Sequence, residues 1–132
     1  MSTTAYSSYS SLVLAYMGDS YYETLVRRYL IGDGDCTPAE LNKSAKAYIT
    51  AESQSKAVDI ILPLLSESET AVYKSGRNAK SSHSSKSAEI GAYRRATGLE
   101  ALFGWLYISG NTKRAEELFT AITVSISKEP VQ

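Results

Sequence analysis

Cysteine occurs once in these 132 residues, at Cys36, and histidine once, at His83. A lone cysteine excludes an intrachain disulfide and a thiolate metal centre, and it suits a reducing compartment. With one histidine, imidazole-based zinc sites are excluded too, so a metal here would be held by oxygen. No apolar run approaches the roughly 20 residues of a membrane helix. Fourteen basic residues balance fourteen acidic ones, so no net charge announces a polyanion partner. Alternating strand patterns and internal repeats are absent. Residues 1–11 are rich in Ser, Thr and Tyr and hold no charge at all. They lack the basic flank and apolar stretch of a secretory signal, and the arginine usual in a transit peptide. The expectation is a cytoplasmic protein with an unstructured lead-in over 1–11.

The length fits one domain, and 43% apolar content is enough for a real core. Charge is unevenly spread. From Lys74 to Arg95 there are six basic residues (Lys74, Arg77, Lys80, Lys86, Arg94, Arg95) against Glu89 alone. From Asp33 to Glu69 seven acids face three lysines. Such asymmetry points to one face that meets an anion and another that meets water.

Helical periodicity runs through almost the whole chain. Leu12 to Ile31 places apolar and aromatic residues at three-and-four spacing. Gly32-Asp33-Gly34-Asp35 ends that helix. Thr37 reads as an N-cap with Pro38 at the first helical position, opening a helix to about Ile49. Another runs from Glu52 to Leu65, with Pro63 near its end. Ser66 and Glu69 form a capping box that opens a short helix toward Gly76. Ser81 to Ser87 is a low-complexity loop. A long helix is expected from about Ala88 to Ile108, ended by Gly110, and Asn111 is expected to cap a last helix to about Ile126. The fold class is all-α, with a domain over 12–127 and a tail at 128–132. Tyr16, Tyr22, Tyr29, Tyr93 and Tyr107 fall at core spacing and read as core or interface rather than base-stacking residues.

Two acids stand out. Asp19 follows Gly18 in Leu14-Ala15-Tyr16-Met17-Gly18-Asp19, and the glycine would leave room for a metal, water or phosphate. Glu100 lies among Leu99, Ala101, Leu102, Phe103 and Trp105. An unpaired carboxylate in so apolar a stretch costs several kcal/mol, so it needs a cation, a partner or a pocket. Alternatively, Asp19 is an ordinary exposed helix acid. Glu23, one turn after Asp19, is either an outer-shell residue for the same metal or the partner of Arg27 at i+4. Arg77, Asn78 and Lys80 follow Gly76 at a helix end, where guanidinium, amide and ammonium groups suit phosphate oxygens. Of Arg94 and Arg95, one is expected to face phosphate and the other to form a salt bridge. His83 reads as a solvated residue of its loop.

The ordered set Leu14–Glu23, Val26-Arg27-Arg28, Ser75–Ser81 and Tyr93–Tyr107 resembles Mini-ribonuclease III, a ribonuclease III catalytic domain without the double-stranded RNA-binding domain. The likeness covers roughly residues 12 to 126. It implies an all-helical homodimer with two active sites in one valley, cutting both strands of an RNA duplex to leave 5′-phosphate and 3′-hydroxyl ends. It further implies trimming of precursor large-subunit (23S) ribosomal RNA, with help from a ribosomal protein. By this resemblance Asp19 and Glu100 bind Mg²⁺, or Mn²⁺, and the Gly76–Ser81 loop holds the duplex. Ordinary ribonuclease III has a glutamate where Ala15 stands and an aspartate where Thr97 stands. The thinner set matches the smaller family and shifts coordination toward water, phosphate, and outer-shell residues such as Glu23 or Thr97. A lone catalytic domain makes fewer phosphate contacts, so its binding should be weaker and more sensitive to salt. The rival readings are a non-catalytic RNA-binding subunit on the same fold and, more distantly, a plain helical interaction domain.

Overall fold

The fold is all-α: in a computed structural model that describes residues 9–32, 34, 36–79 and 87–128, helices form and no strand does. Residues 1–8 of the expected lead-in over 1–11, residues 33, 35 and 80–86, and residues 129–132 of the expected tail lie outside the described residues, while Ser11 already belongs to the first helix.

Local sequence sets the helix ends. Helix α1, Ser11–Ile31, starts where the Ser10 hydroxyl accepts from the Val13 amide. Helix α2, Pro38–Ile49, opens on a full capping box between Thr37 and Glu40, with proline in its first turn. Thr50 ends α2 and caps α3, Ala51–Ile61. The chain then tightens into a 3₁₀ turn, Leu62–Leu64, at Pro63, whose missing N–H cannot continue the α-helical ladder. The Ser66–Glu69 capping box opens α4, Glu67–Asn78.

Helix α5, Ser87–Ile108, closes in a Schellman turn. Asn111 N–H bonds to the Leu106 carbonyl at 2.8 Å and Gly110 N–H to the Tyr107 carbonyl at 3.0 Å. Gly110 sits at φ +76°, a conformation that favours glycine. Helix α6 spans Thr112–Ser127. Asn111 occupies its N-cap position but makes no side-chain cap bond, contrary to the expectation from sequence. Its backbone is already tied into the Schellman turn, at a ψ of 53° rather than the extended value a cap needs.

Helix α5 is the axis of the domain, and α1, α3, α4 and α6 pack around it. From Ala96 to Leu106 every residue but Glu100 is buried. A helix that is apolar all round belongs inside a bundle. Tyr22 of α1 meets Phe103 and Phe119 edge-on, at ring separations of 5.0 and 5.6 Å. Phe103 and Trp105 are both buried within this one subunit. By their spacing, Phe103, Trp105 and Tyr107 cannot all face one core, and they do not. Tyr107 alone of that group is half-exposed, against Tyr21. Tyr16, expected in the core or an interface, is 84% exposed. Arg114 of α6 grips the buried Glu69 with two bonds of 2.8 and 2.9 Å and also donates to the Leu64 carbonyl, which pins α4.

The glycines permit this crowding. A Cβ on Gly18 would lie 1.6 Å from the Glu100 carbonyl oxygen, and one on Gly104 would lie 1.9 Å from that of Leu14. Helices α1 and α5 therefore cross with their backbones in contact. Gly98 meets Tyr73 of α4 in a second close approach, and Gly76 of α4 meets Ala101.

Gly104→Ala should destabilise the fold by about 3 kcal/mol or more, because the obstructing atoms are backbone and cannot swing aside. Gly91→Ala, elsewhere on α5 with nothing near its new methyl, should be neutral or stabilising by roughly 0.5–1 kcal/mol. Urea unfolding of the two variants checks this. Equal stability would show that the crossing tolerates a wider spacing.

Candidate active site

The Gly18–Gly104 crossing decides where two acids go. Asp19 follows the contact residue on α1, and Glu100 supplies the carbonyl against which Gly18 rests. Their side chains leave the crossing on the same side. Burial first, then the charge of Asp19 and direct contact with its carboxyl group, push Glu100 up to about 8. Gln54 pulls the other way, its Nε2 donating to Glu100 Oε2 at 3.5 Å. Residues 81 positions apart in sequence thus form one half-buried acidic pair. Gly18 does not leave room for a ligand, as its sequence context suggested. It is buried, and the space beside it is filled by the backbone of α5.

Two adjacent carboxylates repel each other, and burial strengthens the repulsion. Either a shared proton or a cation relieves it. The donors are hard oxygens, which fits a small divalent cation such as Mg²⁺ or Mn²⁺. Among the described residues no cluster of three or more Asp, Glu, His or Cys is present that could complete a metal cage. Remaining coordination would then fall to water or substrate oxygens.

The other residues singled out from sequence separate clearly. Glu23 is bonded to Arg27 at 2.6 Å, and both line a polar depression with Asp19, Ser20 and Thr24. The Thr97 hydroxyl donates to the Tyr93 carbonyl of its own helix. Arg95 pairs with Asp59 and donates to the Ser55 carbonyl at 3.0 Å, tying α5 to α3. Arg94 is exposed and makes no ion pair among the described residues. At the end of α4, Arg77 donates to Asn78 Oδ1 at 3.1 Å and lies over the Tyr73 ring. Lys80 lies outside the described residues.

Gln54 is the residue that sequence reasoning passed over. A signal was there. Gln54, Ala57, Val58 and Ile61 form the buried stripe of α3 at i, i+3, i+4 and i+7. A polar residue in the first position of such a stripe needs a buried partner, and that partner is Glu100.

A family model described as the Ribonuclease III domain matches residues 12–111. Mini-ribonuclease 3 of Brevibacillus brevis is 46% identical over 107 residues, covering 81% of this chain and 80% of that protein. Mini-ribonuclease 3 of Enterococcus faecalis is 40% identical over 115 residues, covering 86% and 87%. The crystal structure of a protein from Fusobacterium nucleatum superimposes with a TM-score of 0.72 at 34% identity, over 92% of this chain and 95% of that one.

The acidic pair has a pH signature. The Glu100 carboxyl titrates near 8 in the fold against 4.5 when free. Below 4.5 it is protonated in both the folded and unfolded states and the pair costs nothing. Between 4.5 and about 8 the unfolded chain gives up a proton that the folded chain keeps, so stability falls as pH rises. Above that the full penalty stands. Metal-free protein should therefore show this decline in its urea midpoint, and Glu100→Gln should flatten it. Parallel pH curves for the two proteins would show that neither burial nor Asp19 shifts the Glu100 carboxyl group.

Proposed function

The chain belongs to the ribonuclease III family, in its Mini-ribonuclease III branch, and is an endoribonuclease for double-stranded RNA; on that premise, we propose that Asp19 and Glu100 are its catalytic, metal-binding pair. The observation that supports this most is the meeting of two carboxyl groups at a glycine-mediated helix crossing, where the groups that act on Glu100 are Asp19 and Gln54. Held by these two residues, Mg²⁺ or Mn²⁺ would supply activation of water and stabilisation of the departing 3′-oxygen. Asp19, exposed on α1, faces the substrate side, and Glu100 anchors the pair from within. In-line attack of water on phosphorus breaks the bond to the 3′-oxygen and leaves 5′-phosphate and 3′-hydroxyl ends. Glu23 and Thr97 belong to the outer surroundings of this site.

The duplex is read through its backbone and 2′-hydroxyls, as A-form RNA generally is. Arg77 and Asn78 at the end of α4, and Arg94 on α5, are the proposed phosphate contacts, together with Lys80, which lies outside the described residues. Arg95, bound to Asp59, serves the fold first. One site cuts one strand, so cutting both calls for a two-fold partner. The apolar, exposed start of α1, with Leu12, Val13 and Tyr16 beside Asp19, is the face that such a dimer would cover. The proposed natural substrate is precursor large-subunit (23S) ribosomal RNA, presented with a ribosomal protein in the cytoplasm. No helix among the described residues is long and apolar enough to cross a membrane.

Asp19→Asn should keep the fold and duplex binding while slowing cleavage by at least about a thousandfold, equivalent to roughly 4 kcal/mol of transition-state stabilisation. Near-parental cleavage by this variant would remove Asp19 from the chemistry. Removal of metal by a chelator should stop cleavage by the parent but leave binding, whereas a purely binding protein would show no cleavage to lose. For the basic segment, the double variant Arg77→Ala, Lys80→Ala should bind a duplex more weakly whatever its sequence. Its salt slope, measured with Ca²⁺ replacing Mg²⁺, should be flatter by about two, one for each phosphate no longer neutralised. Coincident slopes would mean that the segment does not touch the backbone. Light scattering should give twice the 14.4 kDa chain mass, and a monomer at micromolar concentration would refute the dimer.

A further inference from the structure

We propose that Gln54 is a positioning residue that holds the Glu100 carboxylate in place for the divalent cation. The inference rests on the Asp19–Glu100 reading above and extends it to helix α3. Gln54 is only 4% exposed, and it is one of the few buried polar side chains of the domain. Its Nε2 approaches Glu100 Oε2 at 3.5 Å, from α3, whereas Asp19 approaches from α1. Glu100 is thus flanked by an acid on one side and an amide donor on the other. The spacing is long for a finished hydrogen bond. Such bonds in free enzymes often tighten only when the reacting complex forms.

The chemistry of the amide is what the position requires. A lysine or arginine there would neutralise Glu100 and compete with a cation. A leucine would leave one carboxylate oxygen buried without a donor. Glutamine fills the oxygen's need for a hydrogen bond and leaves the negative charge of the pair intact. Ligating carboxylates are commonly held in this way by a neighbour that does not touch the metal.

The local structure keeps Gln54 on target. Its own N–H closes the first turn of α3 on the Thr50 carbonyl at 2.9 Å. The next residue, Ser55, gives its carbonyl to Arg95 of α5, and Asp59 pairs with the same guanidinium. Arg95 therefore fastens the first turn of α3 to the helix that bears Glu100, a little over one turn from that residue. The buried stripe of Ala57, Val58 and Ile61 prevents α3 from rotating.

The test is Mn²⁺ binding to the full chain without RNA, by calorimetry or by the paramagnetic resonance signal of the free ion, alongside thermal melting in chelator. Gln54→Met keeps the length and loses the donor. It should weaken Mn²⁺ binding by about tenfold or more while melting within a few degrees of the parent. Gln54→Ala removes the donor and leaves no bulk behind it. It should weaken Mn²⁺ binding at least as much and melt below the methionine variant. Glu100→Gln is the control, and it should abolish binding. Parental affinity in Gln54→Met, with no binding in Glu100→Gln, overturns the role of Gln54 and leaves the metal pair standing. Parental affinity in Glu100→Gln overturns the metal pair and the role of Gln54 with it. If the methionine variant does not fold, the alanine variant decides, and parental affinity there counts against the proposal.

Discussion

The structure depends on one contact, the backbone-to-backbone crossing of α1 and α5 at Gly18 and Gly104. Side chains normally hold packed helices 8–10 Å apart. Here no side chain intervenes, and the carbonyl oxygens of Leu14 and Glu100 occupy the positions that Cβ atoms would take. Because the crossing point is fixed to within one residue on each helix, the residues beside it are fixed as well. Asp19 and Glu100 meet for that reason. The second approach, of α4 on α5 at Gly76, Gly98 and Ala101, sets the end of α4, and with it Arg77, relative to the same helix. Small residues thus do here what hydrophobic bulk does elsewhere: they set register.

Such placement has a cost, and the cost is informative. A half-buried carboxyl group beside another is held far from its usual ionisation range, and the fold gains nothing from it when no cation is bound. Elsewhere the domain handles charge conservatively. Glu69 is buried but gripped by Arg114, and Arg95 is paired with Asp59. The unrelieved pair at the crossing is the exception, and strained electrostatics of this kind concentrate at functional sites. The absence of carboxylates at Ala15 and Thr97 keeps the repulsion to one pair, which a single dication can offset. On the proposed reading, much of a bound cation's coordination would fall to water and phosphate, so metal and RNA should support each other's binding.

Much of this was legible in the chain. Ser66 with Glu69 and Thr37 with Pro38 and Glu40 are local signals, and each marks a helix start in the structure. Glu100 was legible as a carboxylate in need of a partner, because it stands among Leu99, Leu102 and Phe103, whereas Asp19 read equally as an ordinary exposed helix acid. What could not be read was tertiary. Helical periodicity does not say that α5 is buried from Ala96 to Leu106 at every residue but Glu100. A glycine beside an acid looks the same whether it admits a ligand or another helix, and only the position of α5 separates the two for Gly18. Asn111 had the right side chain for a cap, but the Schellman turn of the preceding helix had already set its backbone. The partner of Gln54 lies 46 positions along the chain, so the stripe of α3 shows that the amide is buried without showing what it meets.

The most direct measurement is the anomalous diffraction of Mn²⁺ in crystals of the protein. An anomalous peak is expected within coordinating distance of both the Asp19 and Glu100 carboxylates of one subunit, about 2.2 Å from oxygen, as hard divalent ions require. The Gln54 amide should bond to the Glu100 oxygen without reaching the metal. Manganese bound elsewhere on the surface, with the space between these two carboxylates empty at saturating concentration, would contradict the metal pair.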